Sequence, residues 1–400
     1  MGLLSKLFSR KSSPPINTPE QLAQALGIDY ATISGRSVSD IKAMQLTTVF
    51  ACVRVLSESV GMLPCHLYKE SAKQKNKAKE HWLYRLINTA PNDYMTAQEF
   101  WELLIVSLCL RGNFYAYKNK IGDKVTELLP IDPGCVEAKL NASWEPVYKV
   151  TFADGSQDVL SQDEIWHVRI FTKDGLKGLS PIAYAKEAIG LALATEEHGS
   201  RLFTNGAVTT GVLSTEQVLS DAAFKRLQDD FKSRHQGLAN SHKPLILEMG
   251  LDWKSISLSA EDSQFLESRK FQRDEICAIF RVPPHLVANL DKASFNNIEH
   301  LGLSFINYSL VPYLTRIENR IKVGLLPKSQ QADTFAKFNV GALLRGDMKS
   351  RFEAYATAIN WGMYSPNDCL RLEDQNPRPG GDVYLTPLNM TSGPVNPTGT

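Results

Sequence analysis

The sequence predicts an α+β protein, and two observations support this fold class. Four strand-like segments follow one another between residues 113 and 170, separated by turns that contain Gly, Asp and Pro. Amphipathic helical segments lie before and after them, several with an N-terminal capping signal. Together these patterns predict a mixed domain with a mostly antiparallel sheet over residues 45–179, followed by helices.

The first helix is predicted from apolar residues that recur every three or four positions from Val49 to Leu63. Pro64 ends this helix, and the next five residues alternate like a strand. Cys52, Cys65 and His66 raise the question of a metal or redox site. No further Cys or His lies nearby at a zinc-binding spacing, so we expect these side chains to pack. The polar run at 69–80 predicts a solvated hairpin or loop.

A second helix is predicted to begin at a capping box formed by Thr96 and Glu99 and to end at Gly112. Because His167 lies within the last of the strands that follow, we interpret it as a sheet histidine rather than a catalytic base. The predicted strands are Asn113–Lys118, Val125–Leu129, Val147–Phe152 and Ile165–Ile170.

Ser180 and Pro181 mark the start of an alanine-rich helix at 180–206. A compact α/β insert follows at 207–258, with strands near 208–213, 244–247 and 252–256 and a helix at 221–233. A further helix, capped by Ser259 and Asp262, occupies 259–287. The alanine-rich helix and residues 261–281 each have a net charge of −1.

The chain breaks at Arg281–His285 and continues as a polar loop at 288–297. A long helix is predicted from 298 to about 324, within a segment 298–333, and Pro312 should kink it. Its two apolar stripes indicate burial between layers or between subunits. A helical segment at 334–385 has Phe352, Tyr355 and Ile359 on one face, and Ser365 and Asp368 form a capping box for its last helix. Residues 386–400 are expected to be disordered.

The composition excludes several classes of protein. A net charge of +1 over 400 residues argues against a general polyanion-binding protein. The six cysteines are scattered and are expected to be reduced thiols, and no apolar run is long enough to span a membrane. The basic amphipathic N-terminus, part of a partly disordered arm at 1–44, is expected to order against a partner rather than to anchor a membrane.

Motifs for nucleotide binding, zinc proteolysis and serine hydrolysis are missing from the sequence, and no cofactor is predicted. One enzymatic alternative stays open, a metal-dependent nuclease that would process DNA. Solvated helix faces explain the acidic residues of that alternative more simply, so no enzymatic activity is expected. The carboxylates in question are Glu261, Asp262, Asp274 and Glu275.

An ordered series of segments resembles the portal proteins of tailed bacteriophages, in the branch common among long-tailed phages. It begins with TTVFACVRVLSESVGMLPCHLYK and ends with GDMKSRFEAYATAINWGMYSPNDCLRLEDQNPRPGGD. No single motif is diagnostic, but the series spans the chain from about 45 to 385. The segments are 47–69, 84–118, 128–136, 165–207, 243–286, 295–318 and 346–382.

The resemblance implies a ring of about twelve copies at one capsid vertex, through which double-stranded DNA is packaged and ejected. It also implies names for the regions above. Residues 45–179 would be the wing, 180–206 and 259–287 the two stem helices, and 207–258 the clip. Residues 288–297 would be the tunnel loop, 298–333 the long helix between wing and crown, and 334–385 the crown.

The resemblance further implies partners, a location and site residues. The partners would be other copies of the chain, DNA, the terminase large subunit, the major capsid or scaffold protein and a head–tail adaptor protein, with no membrane. The protein would reside in the virion, and in the host cytoplasm during assembly. The implied site residues are Lys292, Ser294, Asn296 and Asn297 in the tunnel loop, Lys186, Glu187, Glu197, Arg201, Arg269 and Arg273 on the stem channel wall, and Lys225, Arg226, Lys232 and Arg234 in the clip, where the motor would dock.

Overall fold

The computed structural model describes most of the chain between residues 38 and 385. It forms two compact units, which divide between Phe338 and Asn339. No helix in this described part is long and apolar enough to cross a membrane. The described ranges are 38–71, 74–152, 154–204, 211–214, 220–226, 252–255, 260–287, 301–343, 348–373 and 375–385.

The first unit contains eight named α-helices within those ranges. Four helical regions agree with the helices predicted at 47–63, 96–112, 180–206 and 259–287, although the alanine-rich helix is divided at Ala185 into two parts. The helices are α1 Asp40–Gln45, α2 Thr47–Gly61, α3 Trp82–Asn88, α4 Ala97–Arg111, α5 Pro181–Tyr184, α6 Lys186–Thr204, α7 Ala260–Phe280 and α8 Val311–Gly324. The short helices α1 and α3 are not among the predicted elements.

The strands of the same unit form small antiparallel sheets rather than the single sheet that the sequence predicts. Three sheets have three strands each, in the orders β11-β1-β2, β4-β3-β8 and β5-β6-β7, and β9 pairs with β10. The short strands β5 and β7 were not predicted. The strands are β1 Cys65–Ser71, β2 Gln74–Lys77, β3 Asn113–Ile121, β4 Lys124–Ile131, β5 Val136–Leu140, β6 Pro146–Thr151, β7 Gln157–Ser161, β8 Ile165–Arg169, β9 Gly211–Ser214, β10 Asp252–Ser255 and β11 Thr334–Phe338.

A cluster of buried aromatic rings joins α4 to three of these strands. Trp101 of α4 lies 5.3 Å from the ring of Phe338 in β11 and 6.3 Å from that of Trp166 in β8. Phe100 makes an edge contact with Phe114 of β3 at 5.4 Å. Edge-to-face pairs of this kind add stabilisation beyond the area they bury. The cluster therefore fixes the two sheets that contain β8 and β11 against one helix.

The packing role predicted for the cysteines of the first helix and strand is confirmed. Cys52 and Cys65 are both buried, and the apolar stripe of α2 faces the core. The ring of His66 is half-buried, and its Nδ1 lies 3.2 Å from the hydroxyl of Tyr84 and 3.3 Å from the side-chain nitrogen of Asn88. Within the described residues, no group of three or more His, Cys, Asp or Glu side chains is arranged to hold a metal ion.

The predicted helix ends are also confirmed. Thr96 and Glu99 form the reciprocal bonds of a capping box at the start of α4, and Gly112 follows this helix with a φ of 73°. Ser180 accepts a bond from the amide of Ala183 at the start of α5. These contacts use amide groups that have no partner inside the helix, which is why the signals are readable from short stretches of sequence.

The long helix ends at Gly324, as predicted, but differs from its prediction in the turn before Pro312. Residues 305–310 form a π-helical segment in which the amide of Val311 donates to the carbonyl of Ile306, five residues back, so the turn before Pro312 is widened. Proline has no N–H and crowds the preceding turn, which accounts for the change.

The segment predicted as a helical crown does not begin with a helix. Residues 334–338 are strand β11, which pairs with β1 in antiparallel register from Thr334↔Lys69 to Phe338↔Cys65. Burial alternates along this strand, as expected for a strand with one face against the core. The prediction was wrong here because a partner strand 265 to 273 positions away in the chain leaves no local signal.

Among its described residues, the second unit has two α-helices, α9 Met348–Asn360 and α10 Pro366–Leu372. The predicted capping box of Ser365 and Asp368 is present at the start of α10. Tyr355 and Ile359 of α9 are half-buried, whereas Phe352 is 53% exposed. The predicted apolar face of α9 is thus only partly covered.

Several predictions concern segments outside the described residues. They include most of the N-terminal arm, the tunnel loop at 288–297 and the tail at 386–400. The helix–strand segment at 227–251 of the insert and the cap at Ser259 also lie outside.

The interpretation of His167 as a sheet histidine is confirmed. It is buried in β8, where Nε2 lies 3.1 Å from Oδ1 of Asn113 and the ring stacks on Tyr115 at 4.4 Å. Burial and the nearby guanidinium groups of Arg169 and Arg320 lower the pKa of His167 from 6.5 to about 3. The imidazole is therefore neutral in the folded protein at neutral pH.

This neutral histidine predicts a specific loss of stability in acid. Between pH 6.5 and pH 3 the unfolded chain binds a proton at His167 that the folded chain does not, so stability falls as the pH falls. In His167→Gln this contribution is missing. The difference in unfolding free energy between wild type and variant, measured by urea titration, should shrink by about 2 kcal/mol from pH 7 to pH 5. A difference that stays constant over this range would contradict the neutral imidazole.

Candidate functional site

The two helices implied as the stem, α6 and α7, lie against each other. Nε2 of Gln272 donates to Oγ1 of Thr195 at 3.1 Å, and Nη2 of Arg269 lies 3.6 Å from Oε1 of Glu196. Thr195 in turn donates to the carbonyl of Leu191. Polar contacts therefore connect the exposed parts of the pair.

The buried part of this pair is apolar and contains small side chains. Ile189 and Ala192 of α6 are buried, as are Ile276 and Phe280 of α7. Other apolar side chains of the two helices face outward, including Phe271, which is 71% exposed.

The implied channel-wall residues are spread along both helices. Lys186 and Glu187 lie in the first turn of α6; Glu187 is exposed, whereas Lys186 and Glu197 are half-buried. Arg201 belongs to the last part of α6, and its side chain lies outside the described residues. The structure brings Arg269 together with Glu196, an acid that the sequence analysis did not assign to the wall.

Arg273, which the resemblance also implies on the channel wall, is half-buried. Its side chain is 28% exposed, and its Nε lies 3.7 Å from Oδ1 of the neighbouring Asp274. Nε and Nη2 are shielded from solvent and make no hydrogen bond to the residues that the structure describes. Both arginines of α7 thus lie beside carboxylates, which reduces the positive charge that the helix presents to an approaching phosphate.

The C-terminal end of α7 is anchored to two other elements of the first unit. Sγ of Cys277 lies 3.9 Å from Sγ of Cys52 in α2, and both side chains are buried. Arg281 follows the helix with a φ of 56°, and the hydroxyl of Ser309 in the π-helical segment donates to its carbonyl. The base of the stem pair is therefore fixed by α2 and by the long helix.

The start of the stem is fixed by a close approach of two glycines. A Cβ added at Gly178 would overlap the carbonyl oxygen of Gly112, and one added at Gly112 would overlap that of Leu179. Asn113 binds both polar groups of Gly178, with 2.7 Å to its amide nitrogen and 2.9 Å to its carbonyl oxygen. Ser180 donates to the carbonyl of Leu110 at 2.6 Å. No local pattern in the sequence marks Asn113 and Gly178, because only the folded chain brings them together.

The other implied site residues are described only in part. Lys225 and Arg226 are exposed in a helical turn at 221–226. β9 and β10, at the two ends of the insert, pair from Gly211↔Ser255 to Ser214↔Asp252. The remaining residues lie outside the described ranges: Lys232 and Arg234 of the clip, and Lys292, Ser294, Asn296 and Asn297 of the tunnel loop.

The carboxylates of the nuclease alternative are not assembled in the part that the structure describes. Asp274 lies beside Arg273, and Glu275 is exposed on the same helix. The side chains of Glu261 and Asp262 lie outside the described residues.

Comparison with known proteins supports a relationship over almost the whole chain. The sequence profile of a family described as "Phage portal protein" matches residues 47–374. The portal protein of Enterobacteria phage HK97 is 35% identical over 376 residues, which cover 92% of this chain and 88% of that protein. A probable portal protein of Streptomyces phage phiC31 is 30% identical over 411 residues, covering 98% of this chain and 89% of that protein.

A solved structure shares the fold. One chain of the neck of a native gene transfer agent particle, computed with C12 symmetry, superposes with a TM-score of 0.59. The two chains are 23% identical, and the match covers 88% of this chain and 98% of the other. The fold described above is therefore one found in the neck of a gene transfer agent particle.

The glycine contact predicts a large effect of one methyl group. Gly178→Ala should lower the unfolding free energy by about 3 kcal/mol, because the new Cβ and the backbone of Gly112 cannot occupy the same space. The measurement is urea-induced unfolding. Gly302→Ala is the matched control, since a Cβ at this helical position has no neighbour within 4 Å among the residues that the structure describes. It should be neutral or stabilise by up to about 1 kcal/mol. Equal effects of the two substitutions would contradict the close approach.

Proposed function

The chain belongs to the phage portal protein family, and we propose from this that identical copies of it close into a ring through which double-stranded DNA is packaged and ejected. The observation that carries the proposal is the match of the family over residues 47–374, supported by a relative that is 35% identical over 92% of the chain. The ring would stand at one capsid vertex of the virion, and about twelve copies would form it.

The family match also favours the portal function over the alternative of a metal-dependent nuclease. Portal proteins are structural components of the virion. We propose that this chain has no catalytic activity of its own, and that a separate packaging ATPase, the terminase large subunit, supplies the energy for DNA movement.

The charges of the stem pair support a channel that does not retain DNA. Each phosphate neutralised by Lys or Arg releases counterions and adds affinity, so six to ten such contacts would bind DNA tightly. Repetition of a contact around a ring multiplies its effect. In this chain Arg269 lies beside Glu196 and Arg273 beside Asp274, and residues 261–281 have a net charge of −1. Two of the cations of the stem pair therefore already have carboxylate neighbours.

The further partners follow from this role. The clip, with Lys225 and Arg226 exposed, would dock the terminase motor during packaging and a head–tail adaptor protein afterwards. The wing would contact the major capsid or scaffold protein. Assembly would take place in the host cytoplasm, and the tunnel loop with Lys292 and Asn296 would line the narrowest part of the channel.

Assembly into a ring is testable with the purified full-length chain. Negative-stain images and mass photometry at micromolar concentration should show closed rings of about twelve copies with a central passage. Particles that remain monomeric over the whole concentration range, with or without scaffold protein, would contradict the proposed function.

The proposed low affinity for DNA predicts the effect of reversing wall charges. Glu187→Lys combined with Glu197→Lys should strengthen duplex DNA binding by the ring at least about tenfold at about 0.15 M salt, because each new lysine adds phosphate contacts. Fluorescence anisotropy across a salt series measures both the affinity and its salt dependence. Glu80→Lys combined with Asp123→Lys is the control, with the same change of charge at exposed residues outside the stem. Equal effects of the two pairs would contradict a DNA path along α6.

A further inference from the structure

An exposed tryptophan stands at the tip of the β5–β6 hairpin. The side chain of Trp144 is 81% exposed, although tryptophan is among the costliest residues to leave in water. Leu140, at the end of β5 beside the tip, is also exposed. Isolated exposed apolar residues are common, so exposure alone gives no function.

The tip that carries Trp144 is held by a network of hydrogen bonds. Oδ1 of Asn141 accepts from the amides of Ser143 and Glu145 at 2.9 and 2.8 Å, and its Nδ2 donates to Oε2 of Glu145 at 3.1 Å. The amide of Trp144 donates to the carbonyl of Asn141 at 3.0 Å. These bonds hold the backbone of the turn and the Glu145 carboxylate, so less entropy is lost when the tip binds.

A groove of suitable size and composition lies elsewhere in the same unit. It has a volume of about 470 Å³ and lies where the residues after β8 meet α5, α7 and α8. This volume is within the range of ~300–1,000 Å³ that holds a small ligand. Phe171 and Tyr184 on its rim are each 69% exposed, and Pro312 and Tyr313 line it from the long helix.

The charge of this groove is opposite to that of the hairpin tip. Arg281 and Arg316 line it, and no acidic side chain does so among the described residues. Arg281 is exposed and Arg316 is half-buried. The tip at 141–145 has a single charged residue, Glu145. The indole of Trp144 thus matches the aromatic side chains of the groove, and the carboxylate of Glu145 matches its two guanidinium groups. Guanidinium groups also bind the faces of aromatic rings.

We propose that Trp144 of one copy inserts into this groove of the next copy, with Glu145 facing Arg281 and Arg316. The proposal rests on the ring proposed above, because a rotational ring joins two different faces of each copy. A projecting hairpin and a separate groove are the two halves of such a contact. The groove is complete only when the partner copy contributes its tryptophan, and central Trp and Arg residues contribute most of the energy at such contacts.

The tryptophan is tested by substitution in the full-length chain. Trp144→Ala should raise the concentration at which half of the chains are in rings by at least about tenfold in mass photometry. Ile121→Ala is the matched control, an apolar residue at the end of β3 that is 75% exposed, and it should leave this concentration unchanged. Circular dichroism establishes that both variants are folded. A Trp144→Ala chain that is folded and assembles like wild type overturns the proposal.

Charge reversal tests which groups face each other. Glu145→Arg alone, and Arg281→Glu with Arg316→Glu, should each weaken assembly, and the three changes together should restore it at least in part. Assembly is restored by the combined changes only if residue 145 of one copy faces residues 281 and 316 of the next copy. If the combined variant assembles no better than the weaker parent, the pairing of Glu145 with these arginines is wrong.

A cross-link tests the position of the tryptophan directly. Trp144→Cys with Tyr184→Cys, in a background where the exposed Cys135 is changed to Ser, should give disulfide-linked ladders of subunits after mild oxidation of rings. Either cysteine alone should give no ladder. Rings that form without cross-linking overturn this inference and leave the proposed ring intact, whereas wild-type chains that never form rings overturn the proposed function itself.

Discussion

The burial of the C-terminal half of α7 against α2 is the interaction on which the rest of this structure depends. Ile276, Cys277 and Phe280 are all buried, Cys277 contacts Cys52 of α2, and Ser309 holds the carbonyl that follows the helix. A helix in a ring wall must have the same orientation in every copy. Because most of α7 is polar, its orientation depends on the packing of its one buried end. The aromatic cluster around Trp101 and Trp166 then makes the base to which α7 is attached rigid.

The second constraint on a DNA channel is that its wall should carry little positive charge. In this structure positive charge is offset at individual residues and not only in the net charge of the chain. A net charge of +1 over the chain would still permit a basic stripe along one helix. Instead, Arg269 lies near Glu196 across the helix pair, and Arg273 is drawn partly into the protein beside Asp274. Exposed ion pairs of this kind add little stability. In the proposed channel, the positive groups would already have carboxylate neighbours when a phosphate passed.

Local signals in the sequence predicted the helices well because their causes are local. A capping box needs only Thr96 and Glu99, and a left-handed helix end needs only Gly112. Contacts between distant segments left no such signal: β11 pairs with β1, and Gly178 meets Gly112 across 65 intervening positions. For the same reason the sequence predicted a weakly acidic stem but not the pairing of Arg269 with Glu196 or the partial burial of Arg273. The names of the regions came from resemblance to a family and not from periodicity.

The most direct test of a ring that conducts DNA without binding it is a cryo-electron microscopy reconstruction of the assembled protein with a duplex in place. We expect α6 and α7 of each copy to surround an open central passage, with DNA density on the axis and no side chain fixed to a phosphate. An assembly without a passage, or one in which Arg269 and Arg273 have left their carboxylates to grip the backbone of the duplex, would contradict the account.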